Sequence, residues 1–190
     1  MQIKILKTEI LSDNWYVLKK VFYEYTNPSG KTETQTREAY DRGNGAVILL
    51  YNSVNKTVIL TRQFRLPTYI NGNETGMMVE ACAGLLDANN PEDCIRKETE
   101  EETGYKISKV QKIFEAYMSP GSITEILHFF VAEFSKEMKV SEGGGLEEEQ
   151  ENIEVLEIPF QQAVDMISTG EIKDAKTIIL IQYAQIHSLI

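Results

Sequence analysis

The chain has 190 residues, of which 42% are hydrophobic, and its 19 basic and 29 acidic residues give a formal net charge of −10. This composition suits one folded domain with room for an appendage, argues against global disorder, and disfavours a nucleic-acid binder, which normally carries a basic face. Because no apolar run of about 18 residues and no signal-peptide core occur, we expect a cytoplasmic protein with no membrane partner.

The N-terminal part of the chain predicts a β-hairpin. Residues 15–25 are rich in aromatic residues and valine, which favours a strand. A strong turn signal follows at residues 27–30, and residues 32–40 are predicted to return as the second strand. We therefore expect residues 1–44 to form a small N-terminal β unit and residues 45–190 to form the main domain.

A second group of strands begins at Ala46. The runs 46–51 and 57–64 are apolar and rich in β-branched residues, so they predict a hairpin whose loop is residues 52–56. Further strands are predicted, in chain order, at residues 77–84, 109–118, 126–134 and 153–158.

Three segments have the apolar spacing or the end signals of helices. Pro91 follows Asn90, a good N-cap residue, and predicts a helix over residues 91–103. Two more helices are predicted at residues 160–169 and 175–190. Since strands and helices follow each other irregularly, the sequence favours a layered α/β sandwich with a mixed sheet over a doubly wound parallel sheet.

Three carboxylates share one face of the predicted helix at 91–103. Glu98, Glu101 and Glu102 stand at positions i, i+3 and i+4. Like charges at this spacing weaken an isolated helix by roughly a few tenths of a kcal/mol per pair. A bound magnesium ion would relieve that repulsion, because it prefers carboxylate and phosphate oxygens. Taken alone, the same pattern is also typical of a solvated acidic helix face.

The surroundings of these carboxylates resemble the signature of the Nudix family. That signature is a glycine, then a glutamate, then Arg-Glu-X-X-Glu-Glu-X-Gly and an apolar residue. The chain supplies Gly84 and, at residues 97–105, the run KETEEETGY. It departs from the signature at Lys97, which replaces the arginine, and at Asn90, which replaces the first glutamate.

The resemblance implies a magnesium site, in which manganese is an acceptable substitute. By position, Glu98 and Glu102 are the principal metal ligands, Glu101 is a further ligand or holds the site, and the carbonyl of Ala83 completes the shell. The glycine-rich acidic segment 141–152 is, by composition alone, a solvated and mobile loop. The resemblance instead implies a catalytic carboxylate there, Glu151, which binds metal or acts as the general base beside Glu102. Glu148 and Glu149 are alternatives to Glu151.

The resemblance extends over nearly the whole chain. Residues 37–45, 62–65, 70–75 and 117–125 are similar to the GDP-mannose pyrophosphatase branch, which is related to the ADP-ribose pyrophosphatases. It implies a Nudix α/β/α sandwich with a mixed sheet, and an N-terminal antiparallel β unit that is exchanged in a homodimer. An isolated hairpin is marginally stable, so pairing with a partner domain would stabilise it. The implied reaction is hydrolysis of GDP-mannose to GMP and mannose 1-phosphate.

The same resemblance implies a set of substrate contacts. For four of these residues a purely structural role remains open. Trp15 would then pack in the fold, Arg65 would form a salt bridge at a strand end, Glu125 would be a surface charge, and Lys176 would lie at an exposed helix start. The full set of predicted contacts is Trp15, Thr36, Arg37, Glu38, Arg65, Gly84, Leu85, Glu125, Gly145, Leu146 and Lys176.

Two other functions remain open at this stage, an ADP-ribose pyrophosphatase and a non-catalytic nucleotide-binding module of the same fold. Such a module would be expected to lack metal carboxylates, which this chain retains. A zinc site is disfavoured, because the chain has two cysteines and two histidines in different predicted elements. We expect Cys82 and Cys94 to be reduced packing residues and His128 to lie in the sheet or core.

Overall fold

The computed structural model describes residues 1–86, 90–146, 148 and 150–190. The chain divides into two compact units. The first contains Met1–Asn44 and Tyr117–Ile126, and the second contains Gly45–Ala116 and Leu127–Ile190. No helix in the described part of the chain is long and apolar enough to cross a membrane.

The first unit is built on three antiparallel strands, β1 (Gln2–Asp13), β2 (Val17–Thr26) and β3 (Thr32–Asp41), which pair in that order. The predicted hairpin is confirmed in β2 (Val17–Thr26) and β3 (Thr32–Asp41). In the turn between them, the Asn27 side chain accepts hydrogen bonds from the backbone of Ser29 and Lys31, each at 3.0 Å. The loop before Ile126 is fastened to the end of β3, because Tyr40 N donates to Ser122 O at 2.8 Å.

The first strand, β1 (Gln2–Asp13), was not predicted from the sequence. It pairs with β2 along its whole length, but the register shifts between Ile5 and Lys7 and again between Ile10 and Ser12. Such bulges place two residues opposite one and interrupt the alternation of apolar and polar side chains. The pattern that usually reveals a strand is therefore broken twice in this segment.

The second unit contains a mixed sheet, as the sequence predicted, and this sheet has seven strands in the described part of the chain. The strands are β4 (Gly45–Asn52), β5 (Thr57–Phe64), β6 (Met77–Glu80), β7 (Ala83–Leu85), β8 (Gln111–Tyr117), β9 (Ile126–Glu133) and β10 (Glu154–Pro159). The main path of the sheet has the order β10-β5-β4-β9-β8, while β6 pairs with β5 and β7 pairs with β4. The β4–β9 pair is parallel, whereas β4–β5 and β5–β10 are antiparallel.

Strand β4 lies at the centre of the core. Its residues 46–50 are at most 1% exposed, and an unbroken apolar run is expected for a strand that is covered on both faces. Ile48 and Leu50 pack with Ile95 and Phe130 in one hydrophobic cluster. Both cysteines are free and belong to this buried cluster, in agreement with their predicted role as packing residues.

Within the described ranges, four α-helices accompany the sheet: α1 (Leu66–Ile70), α2 (Pro91–Thr103), α3 (Phe160–Thr169) and α4 (Ala175–Ile186). The short α1 was not predicted, and α4 ends four residues before the predicted limit. Helix α2 has the predicted bounds because both of its ends are specified locally. The Asn90 side chain accepts from Glu92 N and Asp93 N at 3.1 and 3.0 Å, and Gly104 ends the helix in the left-handed conformation.

Candidate active site

Glu102, near the C-terminal end of α2, is a buried carboxyl group. Its residue is only 2% exposed, and its Oε2 atom has no hydrogen-bond partner among the described residues. The pKa of this carboxyl group is raised to about 8. Burial is the largest cause and the charges of Glu98 and Glu151 act in the same direction, whereas the hydrogen bond from the Cys82 thiol and the charge of Arg65 act in the opposite direction. A buried acceptor of this kind, with two carboxylates acting on it, is suited to a cation.

Glu98 lies one helical turn before Glu102 and packs against the backbone of Gly84. A Cβ atom added to Gly84 would lie 2.1 Å from the Cδ atom of Glu98 and 2.2 Å from its Oε1 atom. The carboxylate therefore occupies space that any side chain at residue 84 would fill. This explains why glycine stands there and places Glu98 beside the segment that begins at Ala83.

Glu101 points to a different environment from that of Glu102. Its carboxylate forms an ion pair with Lys97 Nζ at 3.0 Å, and its side chain is 24% exposed. Within α2, Glu101 is thus paired with a cation of its own helix, whereas Glu102 is buried near other acids.

The glycine-rich loop after β9 is docked on the end of α2. Gly144 N donates to Glu102 O at 2.9 Å, and Gly145 N donates to Glu101 O at 3.1 Å. Gly143, Gly144 and Gly145 all have positive φ angles, of 70°, 111° and 81°. These bonds satisfy carbonyls that a helix end leaves unpaired. The prediction of a solvated loop, made from composition, is wrong for residues 143–146, which are half-buried.

Glu151 is held by the same loop. Its Oε2 atom accepts a hydrogen bond from Leu146 N at 3.1 Å, and a Cβ atom at Gly145 would lie 2.4 Å from that oxygen. Its charge also acts on Glu102. Of the two alternatives to Glu151, Glu148 is exposed, and Glu149 lies outside the described residues.

Two cations that are predicted substrate contacts, Arg65 and Lys176, meet on one carboxylate that was not predicted from the sequence. Arg65 Nε donates to Glu80 Oε2 at 2.7 Å, and Lys176 Nζ donates to Glu80 Oε1 at 2.6 Å and to Asp174 Oδ1 at 2.9 Å. Glu80 is 4% exposed. Glutamate is almost never fully buried unless it is paired, so its position in an apolar strand was a signal that a cation lies opposite.

Other predicted contacts lie in the first unit. Arg37 and Glu38 line a surface cleft of about 650 Å³, together with Tyr117 and the loop 120–124. Trp15 is 82% exposed, so the alternative of plain packing is not what the structure shows for it. Thr36 precedes Arg37 on β3, and its carbonyl accepts a hydrogen bond from Arg37 Nη1 at 2.8 Å.

Glu125, also in the first unit, is a buried carboxylate rather than a loop surface charge. It is 8% exposed, and its Oε1 atom lies 3.6 Å from Arg42 Nε. His128 is a sheet residue on β9, as predicted, and its Nδ1 atom lies 3.2 Å from Glu115.

The described residues fit a divalent cation in part. Three observations support a cation site. The Glu102 Oε2 atom has no hydrogen-bond partner among the described residues, the charges of two carboxylates act on Glu102, and Gly84 leaves space for Glu98 beside the backbone near Ala83. Yet in the described ranges no three His, Cys, Asp or Glu side chains already form a ligand set.

Comparisons with known proteins identify the family of the chain. Residues 41–180 match the family model described as the NUDIX domain, and residues 2–40 match the one described as the GDP-mannose pyrophosphatase NudK N-terminal domain. A GDP-mannose pyrophosphatase of Yersinia enterocolitica is 56% identical over 192 residues, which cover 100% of both chains. One of Escherichia coli O157:H7 is 55% identical over 189 residues, which cover 100% of this chain and 98% of the relative.

Proposed function

The chain belongs to the Nudix family of hydrolases, and from this premise we propose that it cleaves the diphosphate of GDP-mannose to give GMP and mannose 1-phosphate. The relatives that it matches over their full length carry the name GDP-mannose pyrophosphatase. The structural observation that carries the proposal is the buried carboxyl group of Glu102 in the helix of the Nudix signature, whose Oε2 atom has no hydrogen-bond partner among the described residues and whose pKa is raised by the charge of Glu98.

Nudix hydrolases use divalent metal ions, and we propose magnesium here, with manganese as a substitute. Glu98, Glu102 and the carbonyl of Ala83 would hold it, with Glu151 and Glu101 as further ligands. When bound, such a cation neutralises phosphate charge and makes a water molecule nucleophilic at neutral pH. The fit rests on carboxylate and carbonyl oxygens, which are the donors that magnesium prefers.

The chain's own groups account for the remaining steps of the proposed reaction. Arg65 and Lys176 bind the phosphate oxygens and hold the diphosphate in place. Glu151, or Glu102, accepts a proton as water attacks one phosphorus. The bond from that phosphorus to the bridging oxygen breaks, and the departing phosphate carries the bridging oxygen. Water thus supplies the new oxygen of one product, and the proton passes to solvent.

The remaining predicted contacts form part of the same proposal. Trp15, Thr36, Arg37 and Glu38 would bind the nucleotide, and Arg37 and Glu38 are supported by the cleft that they line. The sugar and diphosphate contacts would be Gly84, Leu85, Glu125, Gly145 and Leu146. Residues 1–44 would serve as the dimerisation unit of a cytoplasmic homodimer. Sedimentation of the purified protein tests the dimer, and a monomer at all concentrations would contradict it.

The experiment that tests the reaction measures release of nucleotide from GDP-mannose and ADP-ribose in parallel, with magnesium and with a chelator. We expect GDP-mannose to be preferred and its turnover to stop in the chelator. Preference for ADP-ribose would keep the Nudix chemistry but overturn the substrate. Turnover that survives the chelator would overturn the metal site.

A further inference from the structure

The carboxylate of Glu80 stands between the two cations that we assign to the diphosphate. It ends strand β6, while Arg65 follows the end of the neighbouring strand β5 and Lys176 lies in the first turn of α4. Each Glu80 oxygen has its own cation, because Oε2 accepts from Arg65 and Oε1 accepts from Lys176. One buried carboxylate thus connects three separate elements of the second unit.

The Arg65 guanidinium is held by one edge. Its hydrogen bond and ion pair with Glu80 both use Nε, and 41% of the side chain remains exposed. Arginine has five N–H donors in a planar fork, so an anchor at Nε fixes the plane while the terminal amino groups remain for another acceptor. A planar fork fixed in this way suits phosphate oxygens.

Lys176 is held more deeply than Arg65. Its side chain is 15% exposed, and its ammonium group contacts both Glu80 and Asp174. Burial alone would lower the pKa of this lysine, but the charges of Glu80 and Asp174 raise it overall, so the side chain stays protonated. An ammonium group has three donors, and two carboxylate contacts leave one for a ligand.

The backbone after Glu80 is fastened to the same helix start. Ala81 N donates to Thr177 Oγ1 at 2.7 Å, and Thr177 Oγ1 in turn donates to Asp174 Oδ2 at 2.6 Å. Two residues later the chain reaches Ala83, whose carbonyl belongs to the proposed metal site. The cations and that carbonyl are therefore connected through one short, buried, hydrogen-bonded segment.

From these contacts we propose that Glu80 is a positioning residue, which holds Arg65 and Lys176 together in the orientation that receives the substrate diphosphate. The inference rests on the proposed function, in which both cations bind phosphate. Glu80 does not touch the substrate in this scheme and acts through the two cations. Removing its charge leaves the site more positive, yet we expect the site to bind an anion less well.

The direction in which the affinity for a nucleoside diphosphate changes therefore tests the proposal. Simple electrostatics predicts that Glu80→Gln binds a nucleoside diphosphate more tightly, since a negative charge beside the cations is lost. Positioning predicts weaker binding, because the two cations lose their common anchor. A misplacement of about 1 Å can cost about a hundredfold in rate, so we expect a loss of about tenfold or more.

The first measurement is the Kd of GDP by titration calorimetry with a chelator present, for the full-length wild type and for Glu80→Gln. We expect the Kd to rise about tenfold, and the KM for GDP-mannose to rise more than kcat falls. An unchanged or lower Kd for the folded variant would overturn the proposal. The GDP-binding measurement does not require turnover, so its result can be interpreted even if GDP-mannose is not the substrate.

Two further variants guard against a merely structural effect. Glu154→Gln is the matched control, because Glu154 pairs with Arg62 Nε of the same strand β5 at 2.7 Å, with both side chains about half exposed. We expect it to leave the Kd unchanged. In an Arg65→Ala background, Glu80→Gln should cost much less than in the wild type, and a full additive loss would contradict action through Arg65.

Glu80→Asp covers the case in which Glu80→Gln does not fold. It keeps the charge but shortens the side chain by one methylene, so that both cations cannot be reached in the present geometry. We expect a weaker GDP complex than in the wild type. An aspartate variant that binds GDP as the wild type does would overturn the proposed role.

Discussion

Replacement of Glu102 by glutamine should make the metal-free protein more stable at neutral and alkaline pH, although it should slow hydrolysis in the presence of magnesium. The residue is 2% exposed, and the pKa of its carboxyl group is raised to about 8 from the usual value of 4.5. The folded state therefore holds a proton that the unfolded chain releases between these two values. Stability contributed by the protonated group is present below pH 4.5 and is lost as the pH rises through about 8.

The size of this effect follows from the shift in pKa. Each pH unit between the two pKa values changes the free energy of unfolding by about 1.4 kcal/mol for one proton. Between about pH 5 and about pH 8, the free energy of unfolding of the wild type should fall by about 3 kcal/mol relative to that of the glutamine variant. Titrating groups that are distant from Glu102 act alike in both proteins, so their contributions cancel in the difference between the two free energies of unfolding.

The assay is urea unfolding of both proteins in a chelator at several pH values across this range. A matched control is Glu100→Gln, since Glu100 lies on the same helix but is 41% exposed and pairs with Lys106. Its difference from the wild type should vary little with pH. If the Glu102→Gln difference is also constant with pH, the carboxyl group titrates normally and our account of its burial is wrong. With magnesium, we expect hydrolysis by Glu102→Gln to fall at least about a hundredfold.

Three further substitutions test the local reasoning. Gly84→Ala would place a Cβ atom 2.2 Å from Glu98 Oε1, and the Glu98 side chain can move away from it. We therefore expect urea unfolding to show a stability loss below about 1 kcal/mol, but we expect turnover to fall about tenfold or more because Glu98 is displaced. Gly143→Ala meets backbone instead, 2.5 Å from Glu102 O at a φ of 70°, so thermal unfolding should show a loss of roughly 1–3 kcal/mol. Asn90→Ala removes the α2 cap and should cost about 1 kcal/mol in urea unfolding, and no measurable loss would contradict the capping role.

Features that are specified within a few residues could be predicted from the sequence. Helix α2 begins at an asparagine cap followed by Pro91 and ends at Gly104, and both signals are local. The spacing of Glu98 and Glu102 placed their carboxylates on one helical face, and the central strand β4 was evident from its apolar run. In each case the physical cause lies inside the element itself.

The features that the sequence did not reveal depend on partners distant in the chain. Glu80 was missed because its cations lie 15 residues before it and 96 residues after it. The docking of Gly144 and Gly145 on α2 was missed because acidic, glycine-rich composition predicts a solvated loop, and the acceptors are helix carbonyls. Strand β1 was missed because two register shifts break its alternation.

The arrangement of charges around α2 follows one physical logic. Arg65 and Lys176, which we propose to bind phosphate, form ion pairs with Glu80 and Asp174, whereas Glu102 keeps one oxygen without a hydrogen-bond partner among the described residues, near the charges of Glu98 and Glu151. The two cations are thus held in place before a substrate binds in the proposed reaction. A diphosphate that binds together with a divalent cation would bring phosphate oxygens to Arg65 and Lys176 and positive charge to Glu102. A net charge of −10 is therefore compatible with an anionic substrate. The acidic residues near the site would bind a cation, and the exposed part of Arg65 can contact phosphate.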